Sequence, residues 1–131
     1  MLPDRVAAVI VRNKKVLLVT GPGPDFFWTP GGKVGSVESH EVALARELKE
    51  ELQVSLKSVK QYLTYKTFNE ATGKHQMVHC YLTDFEGNLL PTKEIEEYQW
   101  ISKEDLAERK VKLSKGIEKN LIPQLIGDKI I

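Results

Sequence analysis

The chain has 131 residues, 41% hydrophobic and 28% charged, with a formal net charge of +1 and an isoelectric point near 7.8. This composition predicts a single domain over residues 1–131 with an ordinary core, and it argues against a strongly basic surface for a nucleic-acid polymer. Cys80 is the only cysteine, so no intramolecular disulfide can form, and no run approaches the roughly 20 apolar residues that cross a bilayer.

The apolar run Val6 to Val11 is too short for the core of a signal peptide and has no cleavage site behind it, so the expectation is a cytoplasmic protein without a membrane segment. Arg5 to Arg12 (RVAAVIVR) and Val16 to Thr20 (VLLVT) are β-rich runs around the polar Asn13-Lys14-Lys15, which predicts a β-hairpin. Their near-continuous apolarity predicts strands covered on both faces, as in a sheet between helices. Gly21-Pro22-Gly23-Pro24-Asp25 is a loop by its breakers. Phe26-Phe27-Trp28 then leads into Thr29-Pro30-Gly31-Gly32, also read as a Gly-rich turn. The rings have two readings, ordinary packing or the lining of a pocket for a planar base, with Phe27 and Trp28 as candidates.

Ser39 is a candidate N-cap with Glu41 in the first turn, and the pattern is helical to Leu52. Leu44, Ala45, Leu48 and Leu52 make the expected apolar stripe, with Val42 at its margin. Glu47, Glu50 and Glu51 lie together on another side, with Arg46 placed to pair with one of them. Downstream, Val59 to Phe68 and Gln76 to Phe85 flank a polar turn from Asn69 to Lys74 and predict a second, longer hairpin. Gly87-Asn88 marks a turn, and Glu96 to Ile101 a short strand. Ser102 caps a helix over Lys103 to Arg109, and a closing helix runs from Gly116 to Ile126, interrupted or delayed by Pro123. Strands around one central helix and a terminal helix make a mixed α/β domain.

Like charges three and four apart destabilise a helix, so the acidic triplet either faces solvent, balanced by Arg46 and Lys49, or awaits a cation. Carboxylate oxygens suit a hard divalent ion such as Mg2+, which commonly binds carboxylates together with substrate phosphates. Glycines at Gly31 and Gly32 would let the backbone approach the ion or a phosphate closely. His75 and His79 do not make a zinc motif: Gln76 replaces the glutamate such a motif needs, and on a strand the two stand roughly 13 Å apart. Cys80 reads as a small core residue, and the lysines from Lys103 to Lys119 as a solvated face.

From Gly32 the spacing runs five residues to Glu38, seven more, then Arg46-Glu47-Leu48-x-Glu50-Glu51-x-x-Val54. This pattern resembles the Nudix box of the Nudix hydrolase family, with Gln53 where the family has its second glycine, and with Gly35 and Val37 in a loop where members often carry Glu and Gly. Trp28-x-Pro30-Gly31-Gly32 and the strand ending at Trp100 extend the resemblance over most of the chain.

The resemblance implies a Nudix-type α/β/α sandwich with a mixed β-sheet, and hydrolysis of a nucleoside diphosphate linked to another moiety. It implies Mg2+ or Mn2+ held by Glu47, Glu50 and Glu51 with help from the Gly32 carbonyl, and Arg46 orienting a glutamate. Glu38 and Gly31 would steady the loop, Glu97 is the candidate downstream carboxylate, and Lys33 the candidate phosphate contact. Small size is most similar to MutT-type members acting on nucleoside triphosphates, oxidised ones included, as monomer or homodimer. ADP-ribose and dinucleoside polyphosphates are the enzymatic alternatives, and a non-catalytic nucleotide-binding module is the alternative of another class.

Overall fold

A computed structural model describes residues 4–69 and 72–131, so Glu70 and Ala71 of the expected turn from Asn69 to Lys74 lie outside the described residues. The strands are β1 (Asp4–Val9), β2 (Val11–Arg12), β3 (Lys15–Thr20), β4 (Gly31–Lys33), β5 (Ser55–Asn69), β6 (Lys74–Glu86) and β7 (Glu97–Ile101). The helices are α1 (His40–Leu52), α2 (Lys103–Ala107) and α3 (Ile122–Gly127), the last preceded by a π-helical turn, Ile117–Leu121. One sheet has the order β4-β1-β6-β5 and is mixed, with β1 parallel to β6 and the other pairs antiparallel. The other is antiparallel, with the order β2-β3-β7.

The first apolar run is therefore not one arm of a long hairpin. It divides at Ile10, so that β1 joins the mixed sheet and only Val11–Arg12 pairs back on β3. Asn13 and Lys14 both take positive φ, 52° and 59°, as a tight two-residue hairpin turn requires. The apolarity was a sound guide to burial, because Val6 to Ile10 and Val16 to Val19 are all buried.

Successive residues of β1 point to opposite faces and feed two separate cores. Val6 and Ala8, with Ile10, Leu17 and Val19, pack under Ala43, Leu44, Leu48 and Leu52 of α1. Ala7 and Val9, with Val16, Leu18, Val78 and Cys80, pack under Ile117, Leu121, Ile122 and Leu125. Helices thus cover both sides of the sheet layer, and the fold is an α/β/α sandwich.

α1 begins where its cap predicts, with Ser39 Oγ accepting from Val42 N at 3.2 Å. Its buried stripe is rotated from the expected one: Ala43 is buried, Ala45 only partly, and Glu51 joins the buried side. Gln53 closes the helix in the left-handed conformation (φ 57°), donating its N–H to the Lys49 carbonyl. Its side-chain amide also donates to the Leu90 carbonyl at 3.0 Å, a tether that glycine could not make. At the C-terminal end, Pro123 has no N–H and its ring crowds the preceding turn, which widens to the π form, with Ile122 N–H reaching Ile117 O.

Candidate functional site

Gly31 and Gly32, expected in a turn, form β4 and pair with β1, with Val6 opposite Gly32 and Ala7 opposite Gly31. Gly31 has φ +145°, and a Cβ there would collide with the Val6 carbonyl oxygen. A Cβ on Gly32 would lie 2.5 Å from the Glu47 carboxyl group. The second glycine is therefore the space into which Glu47 projects. The two glycines bring backbone up against the C-terminal half of α1, and one of their amides reaches its carboxylates: Gly31 N–H donates to Glu51 Oε1 at 3.3 Å.

The carboxylates grade from wet to dry. The Glu50 side chain is 46% exposed and that of Glu47 12%, while Glu51 as a whole residue is 6% exposed. Arg46 organises the outer part. Its guanidinium donates to both oxygens of Glu38 (2.7 and 2.8 Å), to Glu47 Oε1 (2.8 Å), more loosely to Glu50 (3.3 Å) and to the Lys33 carbonyl (3.0 Å). Glu38 also accepts from Gly35 N–H at 2.7 Å, and a Cβ on Gly35 would press on that same carboxylate. Gly35 is what lets the loop close on Glu38, whereas Val37 is 97% exposed. The Arg46 hydrogen bond, then that of Gly35, holds the Glu38 carboxyl down at about 2. The same pairing raises the pKa of Arg46 further above its already high value.

Glu51 is different. Burial above all, with a smaller push from the neighbouring Glu47 carboxyl, raises its carboxyl to about 8 against the opposing Gly31 N–H and the charge of Arg5. The buried Glu51 carboxyl thus lies beside that of Glu47, and burial disfavours its charged form. Among the described residues, no three acidic, histidine or cysteine side chains already form a metal cluster. What exists is an all-oxygen pair beside a glycine cradle, in which a hard divalent cation would replace the Glu51 proton. The donor set fits Mg2+ or Mn2+.

The remaining candidates are spread apart. Lys33 is exposed at the end of β4, one residue from the cradle. Glu97 opens β7, where its carboxylate accepts from Gln99 Nε2 at 2.6 Å. Tyr98 and Trp100 of β7 face the α1 core, so by strand alternation Glu97 faces the other way, and it is not gathered with the helix carboxylates. Phe27 exchanges backbone hydrogen bonds with the 112–114 segment and packs on the core beneath α3. Trp28 bridges Val19, packs on both cores and meets Phe26 edge to face at 5.8 Å.

His75 and His79 are likewise apart. His75 meets Phe68 edge to face, and His79 pairs with Asp4 and lies against His40, whose Nδ1 is 2.7 Å from the Tyr81 hydroxyl. Cys80 is buried in the core, its thiol pushed up to about 12 by burial. Two contributors escaped the sequence reading. Arg5, an unremarkable residue at a strand start, lends its charge to Glu51, and the 87–95 loop holds the end of α1. Neither carries a local pattern, since both act across the fold.

The family model described as NUDIX domain matches residues 1–125. No curated protein sequence gives a significant match. Among solved structures, the Escherichia coli ORF135 protein is similar at 28% identity and a TM-score of 0.75, covering 98% of this chain and 89% of its own. A MutT NUDIX hydrolase from Burkholderia pseudomallei is similar at 26% identity and a TM-score of 0.78, covering 91% of this chain and 95% of its own. A UDP-X diphosphatase shares the fold at 22% identity and a TM-score of 0.74, covering 96% of this chain and 60% of its own.

Proposed function

The chain belongs to the Nudix family and is a pyrophosphohydrolase, and we propose that its substrate is a nucleoside triphosphate, oxidised bases included, cleaved to nucleoside monophosphate and pyrophosphate. The observation that carries the site assignment is the Glu47–Glu51 pair beside Gly32, two adjoining carboxyl groups of which Glu51 is buried. Glu47, Glu50 and Glu51 would hold Mg2+ or Mn2+ with the Gly32 carbonyl. When bound, such a cation neutralises the charge of the diphosphate and acidifies water.

The chain's own residues do the rest. Arg46 aims the Glu47 carboxylate, and Glu38 locks Arg46 to the loop through Gly35. Lys33, exposed beside the cradle, is the proposed phosphate contact. Phe27 and Trp28 already serve the packing of both cores, and the assignment does not draw on Glu97. Support for a MutT-type enzyme comes from the MutT NUDIX hydrolase, which matches over nearly the full length of both chains. Among the described residues no helix is long and apolar enough to cross a membrane.

The test is a panel of ordinary and oxidised nucleoside triphosphates, ADP-ribose and dinucleoside polyphosphates, incubated with Mg2+ or Mn2+ and scored for pyrophosphate, phosphate and nucleoside monophosphate. Pyrophosphate and monophosphate from a triphosphate are expected. Turnover confined to ADP-ribose or dinucleoside polyphosphates overturns the substrate assignment, and tight binding without turnover points to a nucleotide-holding module instead.

A further inference from the structure

The last turn of α1 leaves the carbonyls of Lys49 to Leu52 without partners inside the helix. Each nevertheless has one. Lys49 O accepts from Gln53 N–H at 3.2 Å, and the other three accept from a single loop, residues 87–95. Leu90 N–H donates to Leu52 O (2.9 Å), Thr92 N–H to Glu51 O (3.0 Å) and the Thr92 hydroxyl to Glu50 O (2.7 Å). The loop is itself anchored: Ile95 and Leu89 pack into the α1 core, Ile95 N–H donates to Thr92 O (3.1 Å), and Glu96 N–H donates to Thr20 O (2.8 Å). Gln53 returns the tie from the helix side, through its amide to Leu90 O.

This arrangement bears on the carboxylates in two ways. A helix C-terminus carries partial negative charge, an unfavourable place for Glu50 and Glu51, and donors on its carbonyls reduce that charge. Helix ends also fray, and both side chains leave the backbone within the fraying turn. We propose that Thr92 is a positioning residue for the cation site, bonding the main-chain carbonyls of Glu50 and Glu51 at once and so fixing the turn from which both carboxylates project. The role rests on the reading that these carboxylates hold a divalent cation. It is additional to Arg46 and Glu38, which act on the side chains from the opposite end of the site.

Mn2+ affinity of the full chain, measured by electron paramagnetic resonance, tests this together with metal-free thermal midpoints and kcat and KM on the best substrate of the panel. Thr92→Val deletes the hydroxyl and keeps the shape, and Thr92→Ala deletes it with less bulk should the valine variant misfold. Ser55→Ala is the control, because it removes a contact to the same end of α1 (Lys49 Nζ to Ser55 Oγ, 3.1 Å) without touching either carbonyl. Loss of the hydroxyl is expected to weaken Mn2+ binding about tenfold and to lower kcat with KM for the nucleotide little changed, since about tenfold corresponds to the loss of one good hydrogen bond. Thr92→Ser restores both. Wild-type Mn2+ affinity in the hydroxyl-deleted variants, a loss no larger than that of Ser55→Ala, or failure of Thr92→Ser to rescue overturns the positioning role alone. A wild-type protein that binds no Mn2+ overturns the cation reading and this role with it.

Discussion

At the scale of the residue, Glu51 is the buried member of the proposed cation site. Its carboxyl titrates at about 8 in the folded chain against an ordinary 4.5, chiefly because it is buried. A group with a raised folded pKa favours folding while protonated, so its contribution is fully present below about 4.5 and is lost as the pH rises through about 8. Metal-free protein, kept so with a chelator, should therefore lose thermal stability across that window. Glu51→Gln should flatten the loss and melt higher than wild type above it, which calorimetry across pH would read directly. A cation held by Glu51, as proposed, would displace the Glu51 proton, so Mn2+ affinity of the wild type should rise across the same window, by up to about tenfold per pH unit. A pH-independent affinity would mean that Glu51 is not where the cation binds.

At the scale of the element, β4 and α1 bring the site together. Gly31→Ala should cost about 1–3 kcal/mol, since Gly31 occupies backbone space reserved for glycine and abuts the Val6 carbonyl. Denaturant unfolding checks the loss, and a neutral result would show that β4 can move away from β1. Ser39→Ala should cost about 1 kcal/mol by the same measurement, through loss of the cap at 3.2 Å. α1 was legible because its signals are local: a capping serine, an acid in the first turn and apolar residues at helical spacing. Gln53 stood out only because the resembling family has a glycine there, and the structure gives it the left-handed φ of 57°. β4 was not legible, because paired glycines suggest a turn and its pairing with Val6 and Ala7 is a long-range fact. The division of the first strand at Ile10 was hidden likewise, since Val6 to Val11 is one unbroken apolar run and which strand each part pairs with is a long-range fact. Ala43 and Ala45 differ only by a rotation of the helix, which the sheet beneath decides.

At the scale of the whole molecule, the sheet layer separates a core under α1 from a core under α3, and the carboxylates belong to the first. Leu48→Ala and Leu125→Ala each remove a fully buried side chain and should each cost about 2–5 kcal/mol. Only Leu48→Ala should also weaken Mn2+ binding by the folded protein, because Leu48 adjoins Glu47 on the helix that presents the ligands. Equal weakening by Leu125→Ala would show that the two cores do not act separately. The Gly32-to-Val54 spacing exposed the chemistry in the sequence, but not which carboxylate is buried or which loop holds the helix end, since both depend on elements distant in the chain. Turnover of the preferred nucleotide by Glu51→Gln beside wild type, at saturating Mg2+, tests the assigned centre most directly. The variant should be at least as stable as wild type without metal, so a loss of activity cannot be charged to unfolding. A fall in kcat of at least about a hundredfold is expected for removal of a buried metal ligand, and turnover equal to wild type would contradict a cation site at Glu47 and Glu51.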